Sequence, residues 1–178
     1  MNRDELINKL KWADEDISIA FNVDKKIDVI IAGGSSLLIR GLLARQTYDI
    51  DAISFYNEIE HIFNMYDINS RILAFGDSLA ENYEDRLEDL DIETKAIRYR
   101  LLSLEDLAIM KLHSQREKDY ADITSEEVVN ALNWEKLKQI IDSGEADVSF
   151  NERRYKEFLD RYEKYKKDCG KQWDNSIL

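Results

Sequence analysis

Ile27-Asp28-Val29-Ile30-Ile31-Ala32-Gly33-Gly34-Ser35-Ser36-Leu37-Leu38, followed by Tyr48-Asp49-Ile50-Asp51-Ala52-Ile53-Ser54-Phe55, decides the fold. The first run is short, β-branched and mostly apolar up to Ala32, the pattern of a buried strand. Two glycines end it. Ser35 and Ser36 are good caps for a helix that carries Leu37, Leu38, Ile39, Leu42 and Leu43 and fades at Ala44-Arg45-Gln46. The second run, Tyr48 to Phe55, alternates as a strand does. With Ile50 on one face, Asp49 and Asp51 both fall on the other.

Outward from this centre the pattern stays regular. Leu6, Ile7, Leu10, Ala13, Ile17 and Ala20 form the apolar stripe of a helix over 4–20. Ile59, Ile62, Phe63 and Tyr66 predict another. The stretch from Phe75 to Asp89 is acidic and has Gly76 as its only breaker, so its structure is not readable. Ile92 to Leu102 predicts a third strand, with Ile97, Tyr99 and Leu101 on one face and Arg98 and Arg100 on the other. From Ser103 the pattern is helical only: Ser103-Leu104-Glu105-Asp106 is a helix start. Further helices are predicted from Asp119 or Ser125 to Leu132, over 134–141 and over 152–167. The residues from Gly170 to Leu178 read as a frayed tail. The expected class is α/β (α+β): a small mixed sheet with flanking helices over 1–102, then a helical bundle over 103–178 packed on that core.

Composition sets limits on function. The 178 residues contain no proline and six glycines, which favours helix. The net charge of −12 and a pI near 4.7 repel phosphate backbones, so non-specific DNA binding is not expected. A single cysteine, Cys169, leaves no intrachain disulfide and no cysteine-based zinc site. No apolar run approaches the ~20 residues of a membrane span, and the first residues carry no apolar signal core. The expectation is a soluble, cytoplasmic protein with no membrane partner.

The chemistry rests on the centre. Glycines let a backbone come close to a ligand, and a helix start offers amides to phosphate oxygens. Two carboxylates on one strand face suit Mg²⁺, a hard cation that takes one or two carboxylates together with phosphates. Each half alone is common: Gly-Gly-Ser is often a plain loop, and Asp-x-Asp on a strand is often a solvated face. Their combination in this order is far more specific. The plainer residues read as packing: His61 and His113 on helices, Trp12 and Trp134 as core or interface anchors, and Tyr155, Phe158, Leu159, Tyr162 and Tyr165 as a helix-packing stripe.

The segment Gly33-Gly34-Ser35-Ser36-Leu37-Leu38 through Arg45-Gln46-Thr47-Tyr48-Asp49-Ile50-Asp51 resembles the nucleotidyltransferase superfamily with the DNA polymerase β-like fold. More narrowly it is similar to AbiEii-type toxin and DUF6036-like nucleotidyltransferase domains. A second match follows in Leu104-Glu105-Asp106-Leu107-Ala108-Ile109-Met110-Lys111-Leu112 and Arg116-Glu117-Lys118-Asp119-Tyr120-Ala121-Asp122-Ile123, so the resemblance covers roughly 27–123. It implies a nucleotidyltransferase that uses Mg²⁺ (or Mn²⁺) and moves a nucleoside monophosphate from an NTP to a protein or RNA acceptor. The implied setting is a toxin–antitoxin or phage-defence system with a cognate antitoxin protein. On this resemblance Gly33, Gly34 and Ser35 cradle the triphosphate, Asp49 and Asp51 ligate metal, and Lys111 reaches phosphate or substrate. Arg116, Lys118, Asp119 and Asp122 form a polar patch beside the cleft; the plain alternative is an ion-paired junction between two helices. A third carboxylate is expected on a later strand, and Asp91, or Glu93, is the candidate metal ligand. Without it, the alternative is a catalytically degenerate nucleotide- or partner-binding domain.

Overall fold

The computed structural model describes residues 1–43, 45–54, 56–69, 78–148 and 151–170. The expected strand end at Phe55, the breaker Gly76, the fading of a helix through Ala44 and the tail from residue 171 lie outside the described residues. The chain folds as two compact units: Met1–Gly76 with Asn82–Ser103, and Asp77–Glu81 with Leu104–Leu178.

In the first unit, helix α1 (Arg3–Ala20) starts where the Asn2 side chain accepts the Glu5 amide. Its stripe of Leu6, Leu10, Ala13 and Ile17 is fully buried. Strand β1 (Ile27–Ile31) leads directly into α2 (Gly33–Ile39), and β2 (Ile50–Ile53) follows. Helix α3 (Glu60–Met65), entered through a 3₁₀ turn, precedes the two-residue strand β3 (Ile68–Asn69). Another 3₁₀ turn leads to β4 (Glu88–Asp89), and β5 (Ile97–Leu101) completes the sheet. The order is β3-β2-β1-β5-β4. β1 pairs with β2 antiparallel and with β5 parallel; β2–β3 is parallel and β4–β5 antiparallel.

Ile27, Val29 and Ile31 of β1 and Ile97, Tyr99 and Leu101 of β5 face a common core with the α1 stripe. Asp14, on that stripe, is 3 % exposed. Its carboxylate accepts the amides of Lys95 at 2.7 Å, Ala96 at 2.8 Å and Ile97 at 2.7 Å. It thereby serves the start of β5, whose amides would otherwise be buried without partners. Tyr99 Oη donates to the Leu10 carbonyl at 2.9 Å, a second tie between α1 and β5.

Several expectations change here. α2 starts at Gly33, not after Ser35 or Ser36; its N-cap is Ala32, with no side-chain cap bond. It ends by Ile39, and Gly41 (φ +71°) turns the chain away. β2 and β5 are shorter than the alternation suggested, which leaves Asp49, Asp91 and Glu93 outside the strands. β3 and β4, of two residues each, were not foreseen. Trp12 is 53 % exposed and lies tilted against Tyr66, with ring centroids 6.3 Å apart, rather than in the core.

The second unit is built on helices α4 (Leu104–His113), α5 (Glu117–Thr124), α6 (Glu126–Ala131), α7 (Trp134–Asp142) and α8 (Glu152–Asp168). Ser125 separates α5 from α6 and caps the latter by accepting the Val128 amide. Phe158, Tyr162 and Tyr165 of α8 are buried, as the stripe predicts. His113 of α4 stacks on Phe158 at 4.2 Å, and Trp134 lies 4.9 Å from Tyr165.

Candidate functional site

The junction of β1, α2 and β2 is built around one close approach. Gly33 has φ +58°, and a Cβ added there would lie 2.0 Å from Asp51 Oδ2. The carboxylate therefore rests against the Gly33 backbone, where only glycine leaves room. Ser35 ties the same elements together: its Oγ accepts the Asp51 amide at 2.9 Å and lies 3.4 Å from the Asp49 carbonyl, to which it donates. The Ala32 amide donates to the Asp51 carbonyl at 2.9 Å. The serine foreseen as a cap and phosphate ligand is thus 1 % exposed and fastens β2 to α2. Asp49, just before the strand, is exposed; Asp51 is half-buried.

Gly34 is close to two further residues. A Cβ there would meet Arg45 Nη2 and Thr47 Cγ2, each at 3.4 Å. Thr47 is 5 % exposed, and its Oγ1 is without a hydrogen-bond partner among the described residues. Arg45 and Thr47 lie in the segment that carries the family resemblance, but the sequence assigned neither a role. A buried hydroxyl with no partner is unfavourable unless something else satisfies it.

Asp91 does not join this group. It is exposed, and the Leu90 amide before it pairs with Tyr99 of β5. Strands β5 and β1 therefore stand between it and β2, ~14 Å away at the usual strand spacing. Glu93 lies in the same connection. The residue in register with Asp51 on the adjacent strand is Asn69. Arg98 and Arg100 are held by Asp89 of β4, at 2.9 and 3.1 Å. Arg98, foremost, keeps the Asp89 carboxyl below its ordinary range. Among the described residues no group of three or more His, Cys, Asp or Glu side chains is placed to hold a metal ion.

Lys111, Arg116 and Asp119 belong to the second unit. Lys111 is 3 % exposed and Asp119 2 %. The Lys111 ammonium donates to Asp119 Oδ1 at 2.8 Å and Asp122 Oδ2 at 2.9 Å. Asp119 Oδ2 also accepts Ser114 Oγ and Arg116 Nε, both at 2.6 Å. Burial pushes the Asp119 carboxyl up, but Lys111, Ser114 and Arg116 outweigh it and hold it below the ordinary value. Of the residues expected as a polar patch beside the cleft, Asp119 and Asp122 instead join Lys111 in a buried ionic lock between α4 and α5, with Arg116 as its exposed rim. This is the ion-paired junction that was the plain alternative, and Lys118 is exposed.

The mixed sheet, the glycine-led helix after β1 and the Asp-x-Asp strand that follows define a nucleotidyltransferase-superfamily domain. The family model described as "Nucleotidyltransferase of unknown function" (DUF6036) matches residues 8–169, and the chain belongs to that family. No curated protein and no solved structure matches the chain. Among the described residues no helix is long and apolar enough to cross a membrane.

Proposed function

We propose that the first unit binds a nucleoside triphosphate with Mg²⁺ (or Mn²⁺) at the Gly33–Asp51 junction and transfers its nucleoside monophosphate to a protein or RNA acceptor. The observation that carries this reading is the Asp51 carboxylate resting on the bare Cα of Gly33. That arrangement fixes an anionic oxygen at the turn from β1 into α2. The donor set fits a hard divalent cation: Asp49 and Asp51 supply carboxylate oxygens from one short segment. Thr47 adds a buried hydroxyl that a ligand oxygen would satisfy.

In this reading Asp49 and Asp51 hold the cation, Gly33 makes room for the Asp51 carboxylate, and the triphosphate is cradled beside the Gly33–Gly34 turn. Ser35 keeps β2 in place beside them, a positioning role. When bound, the cation neutralises phosphate charge and polarises the α-phosphorus. An acceptor hydroxyl attacks that phosphorus and its proton passes to solvent or a nearby base. The bond from the α-phosphorus to the bridging oxygen breaks, and pyrophosphate leaves. Lys111, Asp119 and Asp122 act within their own unit by fixing α5 to α4. The charge of −12 favours a protein acceptor over an extended nucleic acid. The resemblance to AbiEii-type domains, and not the composition, is what points to a toxin–antitoxin or phage-defence role with a protein partner.

A second reading, nucleotide binding without turnover, is favoured by the position of Asp91, three strand spacings from Asp51. Label transfer separates the two. The protein is incubated with Mg²⁺, cell extract and each NTP labelled at the α-phosphate. Label on protein or RNA that disappears in Asp49→Asn/Asp51→Asn supports transfer. Bound nucleotide with no transferred label supports the second reading. Neither bound nor transferred label with any of the four NTPs would contradict both.

A further inference from the structure

The β2–β3 ladder places Asn69 beside the carboxylate on which the proposed site rests. β2 and β3 are parallel, and the register pairs Ile50 with Ile68 and Asp51 with Asn69. Side chains paired across a ladder share a face. Burial follows the pairing: Ile50 and Ile68 are both fully buried, whereas Asp51 and Asn69 are both half-buried. Asn69 therefore belongs to the face that carries Asp51, on the strand next to it. Asp91 and Glu93 lie on the far side of β1 and β5.

The chemistry of the pair differs from that of two carboxylates. An Asn side chain offers one neutral carbonyl oxygen and an NH₂ donor, but no charge. Asp49 and Asp51 together carry −2, and a bound triphosphate adds further negative charge, so charge balance alone does not limit the site to one cation. A second divalent ion, within ~4 Å of the first, has phosphate oxygens on the nucleotide side and needs a further carboxylate ligand on the protein side. The face beside Asp51 offers an amide at that place.

We propose that Asn69 is the third polar group of the Asp49/Asp51 site and limits it to one divalent cation per bound nucleotide. The amide oxygen completes the coordination of that cation or of its bound water. This inference rests on the reading of the site given above, and its test separates the two.

The full chain is titrated with Mn²⁺ while the free-ion signal is followed by electron paramagnetic resonance. The nucleotide present is an α,β-methylene triphosphate analogue, tested for each of the four bases. The wild type is expected to retain one Mn²⁺ per bound nucleotide, and the isosteric variant Asn69→Asp two. Asn69→Ser is expected to keep one and to bind it about tenfold more weakly, the scale of losing a supporting ligand. Two ions in the wild type would overturn the inference and leave the nucleotide site standing. So would an unchanged count in Asn69→Asp, provided that its circular dichroism matches the wild type. If Asn69→Asp does not fold, Asn69→Ser decides: unchanged Mn²⁺ affinity overturns the inference, and weakened affinity at a count of one supports it. No Mn²⁺-dependent nucleotide binding by the wild type would remove both the inference and the site.

Discussion

Replacing Gly33 by alanine tests the geometry at the centre of the site, because two separate costs meet at that position. The backbone has φ +58°, which costs a residue with a Cβ about 1–2 kcal/mol. The new Cβ would also lie 2.0 Å from Asp51 Oδ2 and 2.8 Å from its carboxyl carbon, both inside 3.0 Å, so the carboxylate has to move. Forcing it from its rotamer well adds ~1 kcal/mol. The expected loss is about 2–3 kcal/mol. Two other glycines dissect it. Gly41 has φ +71° with nothing within 4 Å of an added Cβ, so Gly41→Ala carries the backbone cost alone, about 1–2 kcal/mol. Gly34 lacks the positive φ, and its added Cβ meets atoms only at 3.4 Å. Gly34→Ala therefore changes stability by less than ~1 kcal/mol. Urea unfolding of the three variants gives the ranking directly. Gly33→Ala no less stable than Gly41→Ala would refute the close approach of the Asp51 carboxylate.

Other consequences concern stability. Asp14→Asn keeps one acceptor oxygen but turns an NH₂ toward an amide donor, so it should cost about 2–4 kcal/mol by urea unfolding; a loss under 1 kcal/mol would contradict the three-amide arrangement. Lys111→Met removes the buried cation that Asp119 and Asp122 share and leaves Asp119 only Arg116 at the rim, so a loss of about 3–5 kcal/mol is expected. The triple variant Lys111→Met/Asp119→Asn/Asp122→Asn should recover much of it, whereas equal losses would argue against a lock. Burial pushes His113 below its ordinary 6.5, ahead of the opposing effects of the Ala146 carbonyl and Asp147. The folded state then binds fewer protons than the unfolded one, so stability falls as pH drops below ~6.5 toward the folded value. Thermal melts should show this fall, and His113→Phe should flatten it; an unchanged profile would place the titration elsewhere.

The parts of the fold that were legible are those long enough to show a period. The α1 stripe, the β1 run and the alternation of β5 each span five or more residues, and the glycines after β1 mark the turn into α2. β3 and β4 span two residues each, too short for alternation to register, so the edges of the sheet were hidden. With them went the neighbour of Asp51, which is Asn69 and not Asp91. Asp14 left a trace that could be used: it stands four residues after Leu10 and three before Ile17, a carboxylate on an apolar stripe. A charge in that place signals a buried partner. Ser35 reads as a cap because serine after a strand usually is one; only the tertiary contact with the Asp51 amide reveals its use. The Lys111, Asp119 and Asp122 spacing was visible, but burial, which decides between a phosphate ligand and an internal ion pair, is not written in spacing.

The central claim is that Asp49 and Asp51 form a cation-dependent nucleotide site. Isothermal calorimetry of the four NTPs, with Mg²⁺ and with EDTA, on the wild type and on Asp49→Asn/Asp51→Asn tests it most directly. The account predicts binding of at least one NTP that requires Mg²⁺ and is lost in the double variant while its thermal melt stays cooperative. No binding by the wild type, or equal binding by the double variant, would contradict it.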